Sequence, residues 1–159
     1  MICFADKDIG LTRRRVLALF AGTAASGAMG LFPGRSLADA AAAEKRLEEF
    51  AAGRTPQTGK VSLTVPEIAE NGYSVPVTVS VDSEMTETSY VQSVLVLADA
   101  NPNPGVITFK FTPMSGAASA TTRIRLAKTQ NVIAVAKMND GSVYLDEKLV
   151  KVTIGGCGG

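Results

Sequence analysis

Alternation of apolar and polar residues with period 2 runs through the chain from residue 61 onward, and it leaves little room for any fold but a β fold. Val75 to Val81 reads VPVTVSV, the pattern of a strand with one face in a core and the other in water. Val61 to Val65 and Val106 to Thr112 alternate in the same way. Thr122 to Ala127, Val132 to Met138, Ser142 to Leu145 and Leu149 to Ile154 complete the set. Val91 to Ala98, VQSVLVLA, is more continuously apolar and reads as a core strand, with a place at a subunit interface left open for part of it. About eight short strands result, at spacings of roughly 8–15 residues, and no helical pattern separates them.

The breaks between these runs carry turn chemistry. Asn139-Asp140-Gly141 predicts a hairpin. Asn101-Pro102-Asn103-Pro104-Gly105 blocks both helix and ladder. Glu70-Asn71-Gly72 reads as a further turn, Pro113 to Ala120 as a loop of small residues, and Pro76 as a mark of an edge or a strand start. The fold expected is mainly β, an immunoglobulin-like antiparallel β-sandwich. The chain has no Trp, so the Cys…Trp…Cys core of antibody domains is absent and the expectation concerns architecture alone.

One helix is expected ahead of the strands. Over residues 39–53, Ala43, Leu47, Phe50 and Ala51 recur at the spacing of one helical face, while Lys45, Arg46, Glu48 and Glu49 face away. Asp39 is placed to cap the start and Gly53 the end. Residues 54–154 then form the sandwich and residues 155–159 a mobile arm.

Residues 1–38 read as a cleaved export signal of the twin-arginine type. Thr12 precedes Arg13, Arg14 and Arg15, and apolar residues follow. The apolar stretch from Val16 to Phe32 contains Gly22, Gly27 and Gly30, and it is too short and interrupted for a membrane span. Ser36 and Ala38 offer a cleavage site after Ala38, and a cut after Ala40 fits nearly as well. The expectation is therefore a periplasmic protein, with no membrane attachment once mature.

Composition removes several functions. With no histidine, neither a Ser-His-Asp nor a Cys-His pair can be built, and a His-ligated zinc or a CxxCH haem site is excluded. Residues 1–38 hold five cations against two anions, so the whole-chain charge of +1 leaves about −2 for the rest; the basic footprint of a nucleic-acid binder is missing. Arg123 and Arg125 share a strand face, suited to partner docking or anion attraction but equally to an ordinary solvated surface. Asp82, Glu84 and Glu87 lack the order of a calcium loop. No metal or cofactor is expected.

What remains is the last segment, GGCGG. Cys157 is the one cysteine outside the leader, and Gly155, Gly156, Gly158 and Gly159 flank it. Glycine permits nearly all backbone conformations. From Ile154, three residues span at most ~10 Å, enough to carry the sulfur beyond the domain surface and into a narrow channel of another protein. A free thiol has a pKa near 8.5, so about 3% is thiolate at pH 7. No cation adjoins Cys157 in sequence, so the thiol reads as an attachment point activated by other proteins.

These residues resemble the SoxY family, the sulfur-carrier subunits of the periplasmic thiosulfate-oxidising Sox system. The likeness rests on GGCGG at 155–159, Asn71-Gly72 with Val75-Pro76-Val77, Ala100-Asn101-Pro102-Asn103-Pro104, Thr122 to Ala127, Val135-Ala136, Asp140-Gly141 and Val152-Thr153-Ile154. It covers roughly residues 40–159. One departure is Ser83-Glu84, where the family pattern has Ser-Pro. The resemblance implies a non-enzymatic carrier that holds thiosulfate-derived sulfur covalently on Cys157, paired with a SoxZ-like subunit. It also implies visits to a haem enzyme of SoxAX type, a sulfate thiohydrolase of SoxB type and, where present, a sulfane dehydrogenase. Two alternatives fit parts of the chain. A ubiquitin-like carrier would use Gly158-Gly159 as a thiocarboxylate, but it needs cytoplasmic activation by ATP and a central helix. An immunoglobulin-like interaction module would use Cys157 only to form a disulfide dimer.

Overall fold

Nine strands and one helix account for most of residues 37–155, the part of the chain that the computed structural model describes, with side chains from residue 40. Helix α1 spans Leu37–Ala51. The strands are β1 Gln57–Thr58, β2 Val61–Thr64, β3 Ile68–Asn71, β4 Val75–Val81, β5 Val91–Ala98, β6 Gly105–Lys110, β7 Ala118–Ile124, β8 Gln130–Met138 and β9 Val143–Ile154. A single 3₁₀ turn, Pro113–Ser115, precedes β7. The larger sheet runs β1-β9-β8-β5-β6, with β3 also paired to β9, and the smaller runs β2-β4-β7.

The two sheets face each other as the alternation predicts. Val75, Val77, Val79 and Val81 of β4 are buried against Val94, Val96 and Ala98 of β5 and Val132, Ala134, Ala136 and Met138 of β8. Full burial of such a side chain contributes about 1.5–3 kcal/mol, so this interior supplies the main stabilisation. A register shift between Val91 and Ser93 places Val91 in the same interior despite its odd number. Pro76 is the second residue of β4, outside the pairing with β2 that ends at Thr64↔Thr78, so β2 asks no hydrogen bond of it.

The continuously apolar β5 is buried on both faces by this chain itself. Leu95 and Leu97 point away from the sandwich interior into a second cluster with Ala51, Val135 and Val143. Leu47 and Phe50 of α1 cover that cluster. The core reading of β5 thus holds on both faces, the second being covered by the chain's own helix. Ala43 and Ala51 are buried, and Lys45, Arg46, Glu48 and Glu49 are exposed.

Several boundaries differ from expectation. Helix α1 starts at Leu37, so Asp39 is its third residue rather than its cap. It ends at Ala51 because Ala52 and Gly53 both take left-handed conformations, with φ of 52° and 77°. Glu70 and Asn71, expected in a turn, end β3, which pairs in parallel with β9. β7 begins at Ala118, inside the expected loop, because Val81 of β4 supplies its ladder partner. The break expected between Leu145 and Leu149 does not occur. β8 pairs with β9 without interruption from Lys137↔Val143 to Gln130↔Val150, and Asp146 accepts a hydrogen bond from the Leu63 N–H at 2.9 Å.

Between β8 and β9 the predicted hairpin forms around Gly141, whose φ is 82°. The Asp140 carboxylate accepts bonds from the Ser142 hydroxyl at 2.6 Å and the Ser142 N–H at 2.8 Å. These bonds, the hydroxyl's first, hold its carboxyl below the ordinary value of 3.8, and Lys60 and Arg54 add to the effect. The charged form is therefore favoured by folding. Its stabilisation is present above the unfolded pKa of about 3.9 and is lost as pH falls through the lower folded value. Asp140→Asn should accordingly flatten the acid limb of an unfolding-midpoint-versus-pH curve below about pH 4; an unchanged limb would exclude this contribution.

Leu97→Ala tests the helix-covered layer. It should lower the unfolding free energy by about 2–5 kcal/mol in denaturant titration. A loss well under 1 kcal/mol would mean that α1 does not close this face.

Candidate functional site

Of the residues singled out in the terminal segment, Gly155 alone lies within the described residues. Gly156, Cys157, Gly158 and Gly159 lie outside them, as do Arg13, Arg14 and the leader up to residue 36. The site is therefore built from its root, the end of β9, where the fold hands the chain to the cysteine.

That end is bonded on both edges. On one side, β3 runs parallel to it, pairing Ile68↔Lys151, Ala69↔Val152 and Asn71↔Ile154. The Lys151 N–H donates to Glu67 O and the Thr153 hydroxyl to Glu70 O, each at 2.8 Å. On the other side, the Val152 N–H donates to the Thr129 hydroxyl at 2.9 Å. Gly72 ties two segments together: its N–H donates to Ile154 O, and its own carbonyl accepts from the Leu126 N–H, both at 2.8 Å. The strand is thus held to its last residue. Ile154, 65% exposed, and Tyr73, 44% exposed, present apolar surface there.

Gly155 itself is tightly placed. A Cβ built on it would overlap the backbone carbonyl oxygen of Ala127. At this glycine the missing side chain permits a close backbone approach.

The Ala127 backbone is held in turn at its N–H by the Asn101 amide, which Gln130 bonds from the other side. Asn101 Oδ1 accepts from the Ala127 N–H and from Gln130 Nε2, both at 2.9 Å. Asn101 Nδ2 donates to Arg125 O at 2.8 Å. Gln130 Nε2 also donates to Lys128 O at 3.1 Å, and its Oε1 accepts from the Ala100 N–H at 2.8 Å. Gln130 is the buried polar residue of the described chain, 2% exposed, and its side chain bonds to the segments 100–101 and 125–128. One backbone group each of Arg125, Ala127 and Lys128 is satisfied by this amide pair, and the Leu126 N–H by the Gly72 carbonyl.

Sequence reasoning read Asn101 only as a turn residue and passed over Gln130. A signal was available: Gln130 shares the face of Val132, Ala134, Ala136 and Met138, so the period-2 pattern already places a polar residue in the core. Arg123 lies in β7 and Arg125 just beyond its end, so the two do not share the expected strand face; both are exposed, and Arg123 donates to Ser74 O and Oγ at 3.3 Å. Asp82, Glu84 and Glu87 do not gather: among the described residues no three His, Cys, Asp or Glu side chains come together. A shallow groove of about 180 Å³, lined by Arg46, Glu49, Phe50, Leu95 and Thr108, lies at the helix–sheet seam and includes none of the root residues. No helix among the described residues is long and apolar enough to cross a membrane.

The chain was compared with known proteins. The family model described as sulfur oxidation protein SoxY matches residues 47–157, and so reaches the cysteine. Among solved structures, the sulfur carrier protein SoxY from Chlorobium limicola f thiosulfatophilum is similar at 34% identity, with a TM-score of 0.57, covering 70% of this chain and 99% of that one. A superoxide reductase (neelaredoxin) from Ignicoccus hospitalis has 20% identity and a TM-score of 0.52, covering 59% and 80% of the two chains. A putative superoxide reductase from Thermotoga maritima has 18% identity and a TM-score of 0.50, covering 65% and 89%. These last two similarities concern the fold alone. No curated protein matches the chain.

Gln130→Leu keeps the volume but removes the amide, leaving the Ala100 N–H and the Lys128 carbonyl without this partner. Each stranded buried group costs about 1–3 kcal/mol. A loss of at least that size is expected in denaturant unfolding, and a neutral effect would mean that water replaces the amide.

Proposed function

The chain belongs to the SoxY family, whose members carry sulfur rather than catalyse its chemistry, and from that premise we propose that it carries thiosulfate-derived sulfur covalently on Cys157 and presents it to partner enzymes in the periplasm. The observation that carries the reading is the family match extending through Cys157, the one cysteine of residues 39–159. The twin-arginine pattern at Arg13 and Arg14 supports export. The lack of any histidine fits a protein that leaves proton transfer to others. Gly156, Gly158 and Gly159 carry no side chain to obstruct a channel around the sulfur.

In this reading the Cys157 thiolate bonds to the outer sulfur of thiosulfate, and the electron pair released passes to a haem enzyme of SoxAX type. The product is a cysteine S-thiosulfonate. Water then cleaves its bond to the sulfonate sulfur on an enzyme of SoxB type, releasing sulfate and leaving a persulfide on Cys157. Where a sulfane dehydrogenase is present, it takes electrons from the outer sulfur while water supplies oxygen. A second hydrolysis restores the thiol. The carrier needs no metal or cofactor of its own, and a SoxZ-like subunit is its partner. Binding to nucleic acid or membrane has no part in this cycle.

The test is intact mass analysis of mature protein from cells given thiosulfate, together with a Cys157→Ser strain. Reducible sulfonate and sulfane adducts should map to Cys157, and thiosulfate oxidation should fall to background in the variant. Full oxidation by Cys157→Ser, with no second carrier present, would defeat the proposal; function regained by that variant only when dimerisation is restored by other means would favour the disulfide-dimer module.

A further inference from the structure

We infer that Gly155 is a fixed pivot, aimed by the Asn101–Gln130 amide pair, from which Cys157 is presented only two residues beyond the domain. The inference deepens the carrier reading and rests on it. Two independent sets of contacts meet at this residue. From one side, β3 and Gly72 hold Ile154 to the end of β9. From the other, Asn101, itself bonded by Gln130, holds the N–H of Ala127, whose carbonyl oxygen Gly155 meets without room for a Cβ. Gly155 is thus a positioning residue, acting through where it sends the following residues.

The pivot shortens the reach available to the thiol. Measured from Gly155, two residues span at most about 7 Å. An enzyme that takes the sulfur inside its own channel must therefore bring the mouth of that channel onto the rim of the root. Exposed Tyr73 and Ile154 flank it on one side and Thr129 on the other. The direction of departure matters as much as the length. Adding a Cβ at Gly155 forces the root away from Ala127 by about 1 Å, and a misplacement of that size can cost a reaction up to about 100-fold.

Two measurements decide the matter. The first is ¹⁵N relaxation on the mature chain. The Gly155 amide should show an order parameter near 0.85, the range of rigid backbone, and a value below about 0.6 would overturn the pivot. The second uses Gly155→Ala loaded with tetrathionate, from which the Cys157 thiolate displaces thiosulfate and keeps the S-thiosulfonate. Alkylation of the unloaded thiol by iodoacetamide, which needs no docking, should stay within about twofold of the parent. Sulfate release by a SoxB-type hydrolase should fall at least tenfold in kcat/KM. A folded Gly155→Ala that is processed normally overturns the pivot. If that variant does not fold, the relaxation result on the parent decides alone. Cys157→Ser separates the two ideas: if it abolishes thiosulfate oxidation while Gly155→Ala is normal, only the pivot falls, and if it is itself active, the carrier reading falls first.

Discussion

The ladder between β8 and β9 is the constraint on which the rest of the molecule depends. It runs without a break from Lys137↔Val143 to Gln130↔Val150. One face of β8 fills the interior between the sheets and the other meets the layer under α1. β9 takes β1 near its start and β3 at its end as parallel partners, so both its edges are engaged where it begins and where it stops. A strand bound this way cannot fray from its last residue without breaking bonds to Gly72, Glu70 and Thr129. The same ladder places Gln130 opposite Val150, close to where the two amides secure the Ala127 backbone. The strand that closes the core is thus also the one that fixes the root of the terminal segment.

Much of this was legible because burial is periodic. Val75 to Val81 could only be a half-buried strand, and the stripe Ala43, Leu47, Phe50, Ala51 could only cover an apolar surface. What escaped was whatever depends on a partner remote in sequence. Glu70 and Asn71 look like a turn by residue type, yet the edge of β9 recruits them as a strand. Ala118 to Ala120 are too small to announce a strand, and β4 supplies the ladder. Asp146 to Lys148 lack apolar alternation, but β8 satisfies their backbone. β5 is legible as core, while the identity of the cover on its second apolar face, helix α1, is not. A subunit and a docked helix bury Leu95 and Leu97 equally well, and the pattern of one strand cannot distinguish them.

The sandwich does not specify chemistry. Superoxide reductases from Ignicoccus hospitalis and Thermotoga maritima have the same architecture at 18–20% identity, while the SoxY carrier from Chlorobium limicola shares it at 34%. Function on a common scaffold resides in what is grafted on it. On the proposed carrier reading that graft is the terminal segment with Cys157, and the fold contributes its root at the end of β9.

The glycines of GGCGG therefore divide by physical cause, although their residue type is identical. Sequence alone assigns all four to conformational freedom, because nothing local distinguishes them. Gly155 is set apart by a contact with Ala127, twenty-eight positions earlier in the chain, which Asn101 and Gln130 hold in place. It lacks a side chain because a backbone stands where one would go. A carrier needs both properties in succession: a root that does not wander, so that a docked enzyme finds the thiol at a set distance, and bare residues around the sulfur, so that it can enter. Freedom at Gly155 would enlarge the volume the thiol explores and dilute it at the channel mouth, which is the entropic penalty that presentation from a fixed root avoids.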